Sequence, residues 1–181
     1  MIRKKVGVSV VAILIASMVM GCVPSETPSP TPSETGEFSI YLLADEVPAS
    51  QPAEVDLSDL QLQEEPIVSA EDITMYSKES HEIELTADAY QRIQQLFVLP
   101  VQVQGIPFVA CVGADRIYAG AFWTPASSIS FDGVVICEPF DVDGHVISIV
   151  LGYPAPEAFT GQDPRSDPRV FESLEALGKL R

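Results

Sequence analysis

From Phe38 onward, apolar residues recur mostly at every second position, in short runs bounded by glycine, proline and acidic residues. Phe38, Ile40 and Leu42 share one face of a first expected strand, residues 38–42. Residues 44–65 are acidic and broken by Pro48 and Pro52, which predicts a long irregular connection with a short extended piece near Leu57, Leu60 and Leu62. Two strands follow, residues 73–77 and 81–85, around a Lys78-Glu79-Ser80 hairpin turn. In the second, Ile83 and Leu85 oppose Glu82 and Glu84.

The period then changes. Ala89, Ile93, Leu96 and Phe97, with Tyr90 beside them, form one stripe, and Gln91, Arg92, Gln94 and Gln95 cover most of the other side, the pattern of an amphipathic helix. Thr86 is its expected cap, Asp88 sits where the helix dipole favours an acid, and Pro100 ends it. Residues 108–112 are nearly all apolar and predict a central strand, turned through Gly113-Ala114-Asp115 into a strand at 116–123. Residues 133–137 and 145–151 predict two more, joined through Asp143-Gly144, a tight hairpin signal. Beyond a proline-rich loop at 153–168, Asp167 caps a last helix with Pro168 at its first position, where the missing N–H is harmless. Val170, Leu174 and Leu177 are its expected buried face. The fold class is α+β: a mainly antiparallel sheet with one principal packed helix and a short C-terminal helix.

The N-terminus has a different character. Arg3-Lys4-Lys5 precedes an uncharged run, residues 6–20, which as a helix would rise only about 22 Å against a hydrocarbon core of about 30 Å. A basic start and a short apolar stretch make a secretory signal peptide rather than a membrane span. The run ends in Val19-Met20-Gly21-Cys22, which resembles the lipobox of bacterial lipoproteins. The resemblance implies cleavage before Cys22, diacylglyceryl modification of that cysteine, and anchoring on the extracytoplasmic face of the cell membrane, or of an outer membrane in an organism that has one. Residues 1–21 are then the signal, 22–36 a tether and 37–181 a single extracytoplasmic domain. The segment 23–36, VPSETPSPTPSETG, supports this order, because it cannot bury a core and its polyproline-like extension reaches about 40 Å.

Charge narrows the partners. The chain has 26 acidic and 10 basic residues, a net charge of −16; without Arg3, Lys4 and Lys5 the balance is −19. That excludes nucleic-acid binding by a general electrostatic route and disfavours a polybasic contact with lipid. With Cys22 acylated, Cys111 and Cys137 remain, each in an apolar strand-like run. They are candidates for a disulfide across adjacent strands, or for two buried thiols.

Residues 66–136 run strand, S-A-E-D-I, a hairpin ending in H-E-I-E-L-T, helix, G-x-P-F-V-A-C-V, turn, then R-I-Y-A-G. That order is similar to the periplasmic module of the SecD-type protein-export subunit. The likeness implies a strand feeding a helix and then a strand and turn; its motifs are structural, not catalytic.

No catalytic, metal or cofactor set stands out. His81 and His145 have no convergent partners in sequence, Asp141 to His145 lacks the spacing of a calcium loop, and Ser127, Ser128 and Ser130 sit in no nucleophile motif. Two pairs of residues remain of interest. Phe122 and Trp123 at a strand end would form a partner contact if exposed, and core if packed inward. Arg165 and Arg169, in Asp163-Pro164-Arg165-Ser166-Asp167-Pro168-Arg169, would hold an anion at a helix N-terminus, or pair with their neighbouring aspartates. The expected function is binding of a protein or envelope component; the alternatives are a carboxylate-based hydrolase and a structural spacer or shielding domain.

Overall fold

A computed structural model describes residues 36–45, 48–49, 56–139 and 144–181. Seven strands form one sheet: β1 (Phe38–Leu42), β2 (Ile73–Ser77), β3 (Glu82–Leu85), β4 (Ile106–Val112), β5 (Asp115–Trp123), β6 (Phe131–Cys137) and β7 (Val146–Tyr153). Their order is β1-β4-β5-β6-β7-β3-β2, and every neighbouring pair is antiparallel except β5–β6. Two helices accompany the sheet, α1 (Ala87–Gln95) and α2 (Pro168–Ala176). The mainly antiparallel α+β architecture matches expectation. The single principal helix does not, since both helices are nine residues long and each buries three side chains.

The alternation of side chains across the strands builds two cores. On one face, Phe38, Ile40, Phe108, Ala110, Tyr118, Phe122, Val134 and Ile136 join Ala89, Tyr90 and Ile93 of α1 and Val170, Phe171 and Leu174 of α2. Leu177, expected in that buried face, is exposed, because α2 ends at Ala176. The opposite face carries two smaller clusters. Tyr41, Val109 and Cys111 pack against Leu60 and Leu62 of the irregular 44–65 connection, which contains a one-turn 3-10 helix at Leu57–Asp59. Ala121, Trp123 and Val135 form the second cluster, with Phe131 and Tyr153 against it.

Local signals place the helix ends. Thr86 Oγ1 accepts from Ala89 N and the Asp167 carboxylate accepts from Arg169 N, each satisfying an otherwise free donor of a first turn. The β4–β5 turn lies where expected, with Gly113 at φ 58°. The β6–β7 pair also forms, but the connection runs from Glu138 to His145 rather than through a two-residue turn, and Asp143 lies outside the described residues.

Both sheet edges are covered. Along β1, Ile40 N donates to Val68 O at 2.8 Å and Gln63 N to Leu42 O at 2.9 Å. Along β2, the C-terminal residues lie parallel, with Tyr76 N donating to Lys179 O at 2.7 Å and Arg181 N to Tyr76 O at 2.9 Å. Such cover removes the open ladder that invites pairing with another chain.

Candidate functional site

Cys22 and most of the 141–145 segment lie outside the described residues. Of the two alternatives for Cys111 and Cys137, the structure has the free thiols and not the disulfide. Strand β5 separates them. Cys111 pairs with Arg116 at one end of β5 and Cys137 with Trp123 at the other, seven residues or about 23 Å along the strand. A disulfide needs Cα atoms within about 7 Å. Burial pushes the Cys111 thiol up to about 11 against the pull of Arg116, and raises Cys137 as well, so neither has the acidic thiol of a reactive cysteine.

Phe122 and Trp123 are core, not contact surface. Phe122 points into the helix-covered face, 5.2 Å from the Phe108 ring centroid. Trp123 points to the other face, 2% exposed, stacked on Phe131 at 5.0 Å and tilted against Tyr153 at 5.6 Å. The next residues, 124–130, lead back to start β6 parallel to β5, and the indole is covered by Phe131, Tyr153, Ala49 and the Gly105 backbone.

Arg165 and Arg169 are engaged by their own neighbours. Arg165 binds both oxygens of Asp163, at 2.9 and 2.7 Å, and donates to Ile149 O at 2.7 Å. Arg169 binds both oxygens of Asp167 and reaches Asp115 at 3.4 Å. Hydrogen bonds from these arginines hold the Asp163 and Asp167 carboxyl groups below the usual range. Two acid-and-guanidinium forks thus staple the segment before α2 to β7 and the first turn of α2 to the start of β5, with the charge already neutralised.

The histidines are placed differently. His145 packs against Tyr90 of α1 at 5.3 Å. His81 sits at the β2–β3 turn with φ 53°, buried, its Nδ1 sharing a 3.0 Å hydrogen bond with the Tyr76 hydroxyl and its ring stacked on Phe171. Burial lowers its pKa, with the nearby Arg165 adding to that and Asp163 opposing it. Burial also raises the Tyr76 phenol well above its ordinary value.

Carboxyl groups with displaced titration all move down. Besides Asp163 and Asp167, Asp56 and Asp132 accept hydrogen bonds from Ser58 and Thr160. In Asp72 burial works against ionisation, but hydrogen bonds from Arg92 and Ser69 outweigh it. None of these five has the raised pKa of a carboxyl general acid. Among the described residues no group of three or more His, Cys, Asp or Glu is arranged to hold a metal ion, and no helix is long and apolar enough to cross a membrane.

What sequence reasoning missed is one end of the sheet. Between α1 and β4 the chain exposes Val98 (67%), Leu99 (88%) and Val103 (45%), and the β5–β6 connection exposes Ile129 (45%). Ser127 Oγ ties the two loops, donating to Val103 O at 2.6 Å and accepting from Ile129 N at 3.2 Å. Because β5 ends where β4 begins, with Ile106 opposite Phe122, both loops lie at the same end. A groove of about 510 Å³ opens beside them where β1 and β4 part, lined by Leu43, Pro48, Gln63, Gln102, Gln104 and Ile106 among others. The signal was in the sequence: no residue from Ile93 to Ala114, nor from Ile117 to Phe131, carries a charge, far more than strands β4 and β5 need.

Comparison with known proteins leaves this geometry to speak for itself: no family model, curated protein or solved structure matches the chain.

Proposed function

We propose that the chain is a lipid-anchored extracytoplasmic binding domain, held to its membrane through Cys22, that engages a protein or envelope component with the uncharged end of its sheet. The observation that carries the reading is the placement of Val98, Leu99, Val103 and Ile129. Single exposed apolar side chains are ordinary, but four on two linked, charge-free loops of a chain at −16 form a patch of the kind that marks an interaction surface.

Position supports it. Phe38, where the domain follows the tether, pairs with Val112 at one end of β4, and the patch lies at the other end, about 20 Å away along the strand. An anchored domain standing on its tether would present the patch outward. The likeness of residues 66–136 to the SecD-type module is kept only as a proposal about the origin of the strand–helix–strand unit, and names no partner.

Two measurements test the reading in a bacterial host. Cys22→Ser is expected to abolish cleavage before residue 22 and acylation; unchanged processing and membrane partition would refute the anchor. A photocrosslinking residue at Val98 is expected to yield a discrete adduct in intact cells that the same probe at exposed Glu175 on α2 does not. Identical adduct patterns at the two positions would refute the binding end.

A further inference from the structure

The groove beside the apolar loops has features that define its occupant more closely, given the preceding reading that this end of the sheet binds. Its walls combine hydrocarbon and amide. Leu42, Leu43, Pro48 and Ile106 supply apolar surface, and Gln63, Gln102 and Gln104 supply amides that both donate and accept, the pairing a peptide backbone requires. At about 510 Å³ it lies in the size range of small-ligand sites, and exposed Val103 stands in the chain between Gln102 and Gln104 of its lining, with exposed Leu99 three residues before Gln102.

Electrostatics limits what can enter. Asp45 is the one ionisable residue among the described residues lining the groove, so a charged contact segment would be desolvated without a partner for most of its charge. The chain around it carries −16, a field that repels acidic molecules and speeds the approach of basic ones. Uncharged at the contact and basic around it describes one class of ligand. We propose that this groove docks an extended, apolar and uncharged stretch of a polypeptide whose flanks are basic. The apolar side chains seat against Leu99, Val103 and Ile106, the glutamine amides meet the backbone, and the flanking cations stay in the acidic field outside.

The experiment uses the full acylated chain in phosphatidylcholine vesicles, with three fluorescent nonapeptides read by anisotropy. One has a core of alternating valine and threonine between paired lysines. The second replaces the lysines with glutamates, and the third replaces the core with glycine and serine. Only the first is expected to bind well, the other two at least about tenfold more weakly. Leu99→Asp and Val103→Asp are expected to weaken it about 10- to 100-fold, the worth of burying one aliphatic side chain. Both positions are exposed, so folding is unaffected, and circular dichroism checks it.

Three results would overturn the proposal: equal binding of the glycine–serine peptide, which reduces the effect to charge; binding unchanged in both aspartate variants; or crosslinking from Val98 into lipid chains instead of peptide. If no peptide binds while Val98 still yields its discrete protein adduct in cells, the groove assignment fails and the binding domain stands. If both fail, the binding reading fails with it.

Discussion

Replacing Gly105 by alanine strikes the joint between the buried tryptophan and the apolar loop, and its cost follows from geometry. Gly105 has φ 77°, and its N–H donates to Gln102 O at 3.2 Å, closing the turn that leads into β4. A left-handed conformation costs an L-residue roughly 1–2 kcal/mol. An added Cβ would also lie 2.5 Å from Cε3 and Cζ3 of Trp123 and 3.1 Å from Ala49 Cβ. The indole cannot easily retreat, being stacked on Phe131 and packed against Tyr153. Overpacking of this kind adds about 1–3 kcal/mol, so Gly105→Ala should destabilise the domain by about 2–5 kcal/mol. Gly178 is the control: its φ is 68° and a Cβ there meets nothing within 4 Å, so Gly178→Ala bears the backbone cost alone. Urea titration followed by fluorescence separates the two, because Trp123 is the sole tryptophan and reports from the site itself. In a Trp123→Leu background, followed by circular dichroism, the Gly105→Ala penalty should fall toward the Gly178 value, with only the 3.1 Å approach to Ala49 Cβ remaining. Equal penalties within about 0.5 kcal/mol at the two glycines, or no relief in the leucine background, would refute the close approach.

Other consequences are as direct. His81 binds fewer protons folded than unfolded, since its folded pKa lies below the ordinary 6.5. Its contribution is therefore complete above that value and is lost as pH falls through it toward the folded pKa. The urea midpoint should drop over that interval, and His81→Asn, which tolerates the positive φ, should flatten this part of the profile; an unchanged slope would count against the buried Tyr76–His81–Phe171 contact. Arg165→Ala removes the fork to Asp163 and the bond to Ile149 O, and should cost about 1.5–3 kcal/mol by the same titration, whereas a value near zero would deny that the fork fastens α2 to β7. Without reductant, Cys111 and Cys137 should both alkylate in denaturant, and in the native domain half-buried Cys137 should react before fully buried Cys111; protection of both in denaturant would mean a disulfide.

The sequence was legible wherever the deciding interaction is local. The Thr86 and Asp167 caps, the Gly113 turn and the alternation that sorts Phe108 and Ala110 from Val109 and Cys111 depend on residues a few positions apart. Strand order depends on none of these. Nothing in the 124–130 segment announces that it returns to make β6 parallel to β5, and it is β5 between the cysteine strands that decides for two free thiols over the disulfide. Phe131, Tyr153 and Ala49, brought together from three separate segments, bury Trp123, which by composition alone could have faced either way. The apolar loop was hidden for another reason. Val98 and Leu99 continue the hydrophobic run of α1 toward β4, and only the fold shows that the helix stops at Gln95 and leaves them bare.

The end proposed to bind is also where the fold leaves room. One face of the sheet lies under α1 and α2, and the other carries Leu57, Leu60 and Leu62 over its first cluster and Ala49 in its second. The β1 edge is bridged at Val68 and Leu62, and the β2 edge at Leu180, so strand addition would first have to displace paired backbone. The cleft of about 450 Å³ beside α2 is lined by Lys78, Glu172 and Glu175 among others, and Lys78 already lies 4.7 Å over the Phe171 ring, its cation spent on the domain's own aromatic. With faces and edges covered, apolar contact falls to the strand ends. Of the two, the end near Phe38 is occupied by α2, Asp115 and its bond to Arg169. The other carries Leu99, and among the described residues four of the five exposed large hydrophobic side chains lie on its two loops, an arrangement that lets an acidic protein keep most of its bare hydrocarbon together.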